Sequence, residues 1–263
     1  LHEPYRRQRQ MCIRDRFQRH MGYLSINKDN RLFWLGRYQE RVLTTLSYML
    51  SKYDQMIDGE DFDYAKYCED LGIANHYQDA SHFMECYLFN KDNPDSVRAA
   101  AEMMIGNGIV LRDTISSKTL SYLQMAVYAL DLAAESKSPI VELQQVIDDL
   151  MAFRGSYDDF IENENMRNII KCGSGVERIS LSLSLSYHLK AVATEIHKLL
   201  SRLEKTKLKT DPAALKILWD AELAEPGREP IPVKKLIEAD ENLFLVWEMQ
   251  PAGCILAWGT SDW

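Results

Sequence analysis

Apolar residues recur at intervals of three and four from Arg31 onward. Leu35, Tyr38, Val42, Leu46, Met49, Leu50, Tyr53 and Ile57 form one stripe, which predicts a long amphipathic helix capped at Asp29 or Asn30 and ended by Gly59. Two short aromatic-rich helices are predicted around Phe62–Asp70 and Asp79–Phe89. Asn93-Pro94-Asp95-Ser96 starts another, running to about Ile115, and Ser116-Ser117 opens one through Leu130. Pro139 sits at a first helical position and launches a helix to about Phe160. A long helix or helix pair spans about Met166 to Glu204, and Asp211-Pro212 caps a short one through Trp219. Ser180–Ser186 alternates serine and leucine strictly, which alone suggests a strand. Its surroundings keep the helical period, so it is assigned to a helix. The expected fold is all-α, a bundle of six to eight helices.

The chain also repeats itself. Leu35-Gly36-Arg37-Tyr38-Gln39-Glu40-Arg41-Val42 aligns without gaps on Cys172-Gly173-Ser174-Gly175-Val176-Glu177-Arg178-Ile179, an offset of 137 from Gly36 to Gly173. The apolar stripe follows, with Val42 matching Ile179, Leu46 matching Leu183 and Leu50 matching Tyr187. This predicts a pseudo-duplicated bundle. Residues four apart share a helix face, so Gly36 with Glu40, and Gly173 with Glu177, would let another backbone approach closely and meet it with a carboxylate. Arg41 and Arg178 point about 100° further round. A further polar group, Asn107, Arg112, Asp113 and Ser116, lies in the run GNGIVLRDTIS. Asn107 and Gly108 are poor helix-interior residues, so a packing or site reason is expected there.

Charge excludes one class of partner. Residues 1–20 hold six arginines against Glu3 and Asp15, a local balance of +4; with −8 overall, the rest of the chain stands at −12. An acidic body is a poor match for a phosphate backbone, so no nucleic-acid role is expected. The string YRRQRQMCIRDR resembles translated sequencing-adaptor read-through; residues 1–20 are set apart as non-native, with Met21 the expected start. Residues 21–223 then form the helical domain, and 224–263, opened by PGREPIP, a proline-containing tail.

No apolar run approaches the roughly 18 residues of a membrane helix. The five cysteines include no C-x-x-C pair, which argues against a disulfide framework or a structural zinc and for a reducing, cytoplasmic setting. A di-iron bundle needs Glu-x-x-His on two helices, and none of His76, His82, His188 and His197 follows a glutamate at that spacing. No metal and no cofactor are expected. Phosphate-cradling glycine loops are absent, and Cys172, matching Leu35, reads as a small core residue.

Three segments, RLFWLGRYQERVLTTL at Arg31–Leu46, DSVRAAAEMM with NGIVLRDTISS between Asp95 and Ser117, and IIKCGSGVERISL at Ile169–Leu181, resemble the bacterial alpha-E family. The resemblance covers about Met21 to Glu204. It implies an all-helical protein of undetermined activity that accompanies ATP-grasp-type ligases and transglutaminase-like proteins, with a role in making or modifying peptides. The chain departs from that family by having Ser174-Gly175 where relatives carry Arg-Tyr, and Gly106-Asn107-Gly108-Ile109 where they carry Glu-Asn-Ala-Arg. If the lost Glu and Arg serve catalysis in relatives, this chain is a non-catalytic member.

Two meanings stay open for Glu40, Arg41, Arg112, Asp113, Glu177 and Arg178. They could form an internally compensated ion network pinning helices together. They could instead form a ligand-binding or catalytic cluster, with two carboxylates as acid and base and arginines holding a substrate anion. The expected function is an accessory or binding protein partnering an ATP-grasp-like ligase. The alternatives are an enzyme using Glu40, Glu177, Arg41, Arg112 and Arg178 on an amide or peptide, and a purely structural module.

Overall fold

The computed structural model describes the backbone of residues 3–222 and 231–244, with side chains from 28 onward in those ranges. Among them the chain forms twelve α-helices and no strand beyond one isolated bridge, Thr210 with Phe244. In order these are α1 (Glu3–Ile57), α2 (Tyr64–Leu71), α3 (Ala80–Phe89), α4 (Val97–Val110), α5 (Arg112–Ile115), α6 (Ser117–Glu135) and α7 (Pro139–Gly155). Then follow α8 (Tyr157–Phe160), α9 (Glu164–Ser184), a 3-10 turn (Leu189–Ala191), α10 (Val192–Leu203), α11 (Pro212–Glu222) and α12 (Val233–Glu241). The number exceeds the expected six to eight because single turns such as α5 and α8 interrupt what the periodicity joined.

Most boundaries follow from capping chemistry. Asp79 accepts from the His82 amide, Ser96 from Ala99, Asn163 from Met166 and Asp211 from Ala214, each satisfying an amide that the helix itself leaves open. Pro139 stands at the start of α7. The predicted cap at Asp29 or Asn30 does not occur, since α1 runs through both from Glu3. No proline interrupts residues 5–57, so nothing forces a stop there. The side chains of Leu1–His20, and the tail beyond Phe244, lie outside the described residues.

Two helices form the centre. α1 and α9 share the most extensive packing; α4 and α7 cover α1, α6 packs on α7 and α4, and α10 and α12 cover α9. Leu35, Tyr38, Val42, Leu46 and Met49 are buried as the stripe predicts, whereas Ile57 is exposed at the end of α1. An aromatic cluster around Phe83 closes α2 and α3 onto this core, with Tyr67, Tyr77 and Tyr87 at 5.5, 4.9 and 5.0 Å between ring centres.

The serine–leucine alternation is helical through Ser184, the end of α9, while its last two residues, Leu185 and Ser186, lie past the helix. Its physical reason is burial on several faces at once: Ser174, Ser180 and Ser182 are as buried as Leu181 and Leu183. Small hydroxyls fit where neighbouring helices come close and bond locally, Ser174 Oγ to the Gly36 carbonyl at 3.2 Å and Ser180 Oγ to Glu241 at 3.1 Å. The match of Leu50 with Tyr187 fails, because α9 ends at Ser184 and Tyr187 lies past it.

At the crossing the two backbones nearly touch. A methyl group on Gly36 would overlap the Ile170 carbonyl oxygen and come within 3.0 Å of the Ser174 nitrogen. One on Gly173 would overlap the Phe33 carbonyl and come within 3.2 Å of the Arg37 nitrogen. Each contact therefore has its counterpart at the same offset of 137, from Phe33 to Ile170 and Arg37 to Ser174. Because the obstacle is backbone, Gly36→Ala and Gly173→Ala should each cost about 3 kcal/mol. Gly106→Ala, exposed on α4 with nothing within 4 Å of the added carbon, should instead stabilise by about 0.5–1 kcal/mol. Urea denaturation of the three variants checks the contrast, and equal behaviour would refute the close approach.

Candidate functional site

One helical turn beyond the glycines, each helix offers a glutamate and an arginine to the other. Glu40 is 1% exposed and Glu177 2%. Arg178 donates Nε and Nη2 to the two oxygens of Glu40 at 2.6 and 2.7 Å, a bidentate pair, while Thr44 Oγ1 adds a third donor at 3.1 Å. On the opposite side Glu177 accepts from Arg41 Nε at 2.5 Å and from Arg37 Nε at 2.7 Å. Arg178 also reaches Glu195 of α10 at 2.7 Å, and Lys198 meets the other Glu195 oxygen at 2.8 Å.

The exchange is reciprocal except at one position. Arg37 has Ser174 as its counterpart, so Glu40 lacks the second guanidinium that Glu177 enjoys. Arg154 of α7 stands nearest to that role, with Nη1 at 3.9 Å from Glu40, an ion pair too long for a hydrogen bond. Tyr38 likewise corresponds to Gly175, and Leu199 of α10 packs into the space a side chain would take, 3.4 Å from its ideal Cβ.

Electrostatics fix the charge states. Burial would raise the Glu177 carboxyl, but Arg41 and Arg37 outweigh it and hold it down at about 2. Burial opposes the charge on Arg178 as well, and its bonds to Glu40 and Glu195 more than restore it. Glu195 is held below the usual carboxylate range in the same way, burial being outweighed by Lys198 and Arg178. Glu177 is therefore a permanent carboxylate at neutral pH and a poor proton donor or acceptor.

Each ion cluster borders its own opening. The Glu177 side closes over a cavity of about 50 Å³ lined by Arg37, Arg41, Tyr87, Asp95 and Glu241, room for a few waters. The Glu40 side opens into a pocket of about 500 Å³ between α1, α7, α9 and the start of α10. Glu40, Arg154, Arg178 and Glu195 line it together with Leu43, Ile147, Met151, Ile179 and Val192.

Segment 29–216 matches the family Alpha-E, described as a predicted alpha-helical domain with a conserved ER motif. The chain belongs to the Alpha-E family. Both Glu-Arg pairs, Glu40-Arg41 and Glu177-Arg178, fall inside the matched segment of this Alpha-E chain, whereas α12 lies beyond it. Comparison with curated proteins and with solved structures finds no match.

The structure brings Gly36, Glu40, Arg41, Gly173, Glu177 and Arg178 to the crossing of this Alpha-E chain, but not Arg112 and Asp113. Those two side chains are 68% and 92% exposed on α5 and pair only loosely with each other at 3.6 Å. Leu111 and Ile115 are buried on either side, which turns the residues between them outward. Asn107 is buried nearby, accepting from Arg31 at 3.2 Å and donating to the Met103 carbonyl at 3.0 Å; Gly108 admits Leu120 and Leu123 of α6. Their reason is packing. Cys172 is fully buried, and burial pushes its thiol up to about 12, against any nucleophilic role. Among the described residues no group of three metal-ligating side chains converges.

Other participants lay outside the predicted cluster: Arg37, Arg154, Glu195, and Asp240 and Glu241 of α12. Arg37 carried a signal, since it sits one turn before Arg41 on the same face. The others come from helices that no local spacing connects to the motif. Asp240 is fully buried and neither of its oxygens has a hydrogen-bond partner; burial pushes it well above the usual range despite the field of Arg37, favouring the protonated form.

Removing one member of a buried pair strands the other, so Glu177→Gln and Glu40→Gln should each lower stability by roughly 3–5 kcal/mol. Glu177 titrates in the folded state at about 2, below its ordinary 4.5. Its contribution is thus complete above pH 4.5 and lost as pH falls toward 2. The gap between the parent protein and Glu177→Gln should be widest near neutrality and close in that window, as chemical denaturation across pH will show. Unchanged melting of both variants would remove the pinning role.

Proposed function

We propose that this Alpha-E chain is a binding protein of a peptide- or amide-ligating system, partnering an ATP-grasp-like ligase in a reducing, cytoplasmic setting. The observation that carries the binding role is the open pocket of about 500 Å³ beside the Glu40–Arg178 pair, lined by both apolar and charged side chains. Concave sites of this size and mixed lining are the usual form of small-ligand sites. The partner comes from the resemblance to proteins that accompany ATP-grasp-type ligases and transglutaminase-like proteases.

An enzyme using Glu40, Glu177, Arg41, Arg112 and Arg178 together finds less support. Glu40 and Glu177 border different cavities, Glu177 is held as a carboxylate, and Arg112 faces solvent. A purely structural module would share the ion-paired crossing and bind nothing.

The test is affinity purification of the tagged full chain from its native host. Stoichiometric recovery with an ATP-grasp-like ligase or a transglutaminase-like protein is expected, and recovery alone would overturn the partnership. Turnover of an amide substrate by the purified chain, lost in Glu40→Gln, would establish the enzyme instead.

A further inference from the structure

Arg154 is unusual among the arginines around the crossing. It stands in the last turn of α7 with its side chain 31% exposed, facing the pocket of about 500 Å³. Among the described residues its one hydrogen-bond contact is the Met151 sulfur at 3.7 Å, and its ion pair to Glu40, at 3.9 Å, is beyond hydrogen-bond range. Glu40 has no need of it, being filled by the Arg178 fork and the Thr44 hydroxyl. A guanidinium offers five N–H donors in a fixed plane suited to a two-oxygen anion. Half-buried and without a hydrogen-bonded oxygen acceptor among the described residues, it can take one from a ligand.

The surroundings restrict that anion. Glu40, Glu195 and Asp148 also line the pocket, and Arg178 and Lys198 offset the first two. Arg154, held only by its long 3.9 Å ion pair to Glu40 and set beside three carboxylates, suits a singly charged group and disfavours a dianionic phosphate. Among the remaining lining residues, Leu43, Ile147, Met151, Ile179 and Val192 are apolar and reward burial of an apolar body, beside polar Thr44, Ser47 and Gln144.

The far wall is held in place before any ligand arrives. Ser186 and His188 are both left-handed, at φ 49° and 53°, a conformation uncommon among non-glycine residues. Between them Tyr187 donates its amide to the Ser182 carbonyl at 2.9 Å and sets its ring edge-on to Tyr48 at 5.3 Å. A pocket whose wall is fixed in advance loses less on binding.

We propose that this pocket binds a monocarboxylate with an apolar body, such as the C-terminal end of a short apolar peptide, with Arg154 receiving the carboxylate. The inference deepens the binding role above and rests on it.

Calorimetric titration of the full chain with N-acetyl-leucyl-leucine and with its C-terminal amide tests it. The acid should bind at least about tenfold more tightly than the amide, the ordinary worth of a charge-assisted bidentate contact. Arg154→Gln should bring the acid down to the level of the amide, and Met151→Trp, which fills the pocket from its exposed side, should block both. Equal binding of acid and amide, no saturable binding of the acid at millimolar concentration, or full discrimination kept by Arg154→Gln would each overturn the proposal. Octyl phosphate binding more tightly than octanoate would overturn the choice of a singly charged ligand. The titration contains no ligase, so its failure and failure to recover a ligase from the host are separate results.

Discussion

At the crossing of α1 and α9, the Ile170 and Phe33 carbonyls rest where the side chains of residues 36 and 173 would otherwise stand. Only glycine at both positions allows it. With the axes this close, residues one turn further on are forced into contact, and the sequence places a carboxylate and a guanidinium there from each side. Taking such groups out of water is costly unless the geometry is good. Here it is good: Glu40 and Glu177 each accept two guanidinium nitrogens from the facing helix, at 2.5 to 2.7 Å. Contact and charge require one another, since an ion pair this buried would not form across a wider gap.

The two sides of the crossing are not equivalent, and the difference traces to two residues. Where α1 has Arg37-Tyr38, α9 has Ser174-Gly175. Glu177 is therefore sealed by two arginines of the facing helix and roofed by α12, leaving a cavity of about 50 Å³. Glu40 has one facing arginine, Arg154 stands off, and α10 moves in over Gly175 through Leu199. The larger opening lies on the side where the match between the two motifs is broken.

Much of this was legible in the chain. The period of three to four gave the helices because nearly every one buries a stripe, and Asp, Ser and Asn caps marked their starts. The four-residue spacing of Gly36 with Glu40, and of Gly173 with Glu177, could be read as one face because helix geometry leaves no choice. Other features could not be read. Arg112 and Asp113 look like members of the cluster by type, but their side of α5 is set by Leu111 and Ile115, which only packing reveals. Arg154 and Glu195 arrive from helices whose docking no local pattern specifies. α12 was hidden behind a proline-rich break; it packs on α9, burying Leu236, Ala239 and Asp240.

The Glu40–Arg178 pair joins residues 138 apart in the chain. Helices α4, α6 and α7 lie between them, α6 and α7 packing on each other while α4 and α7 also pack on α1. The glycines and ion pairs of the crossing wait until a loop of well over a hundred residues has closed. Until α9 is in place, Glu40, Arg37 and Arg41 of α1 lack the facing residues Arg178 and Glu177 that they pair with in the finished fold. During synthesis, therefore, α1 must wait for the chain through α9 before its central partner exists.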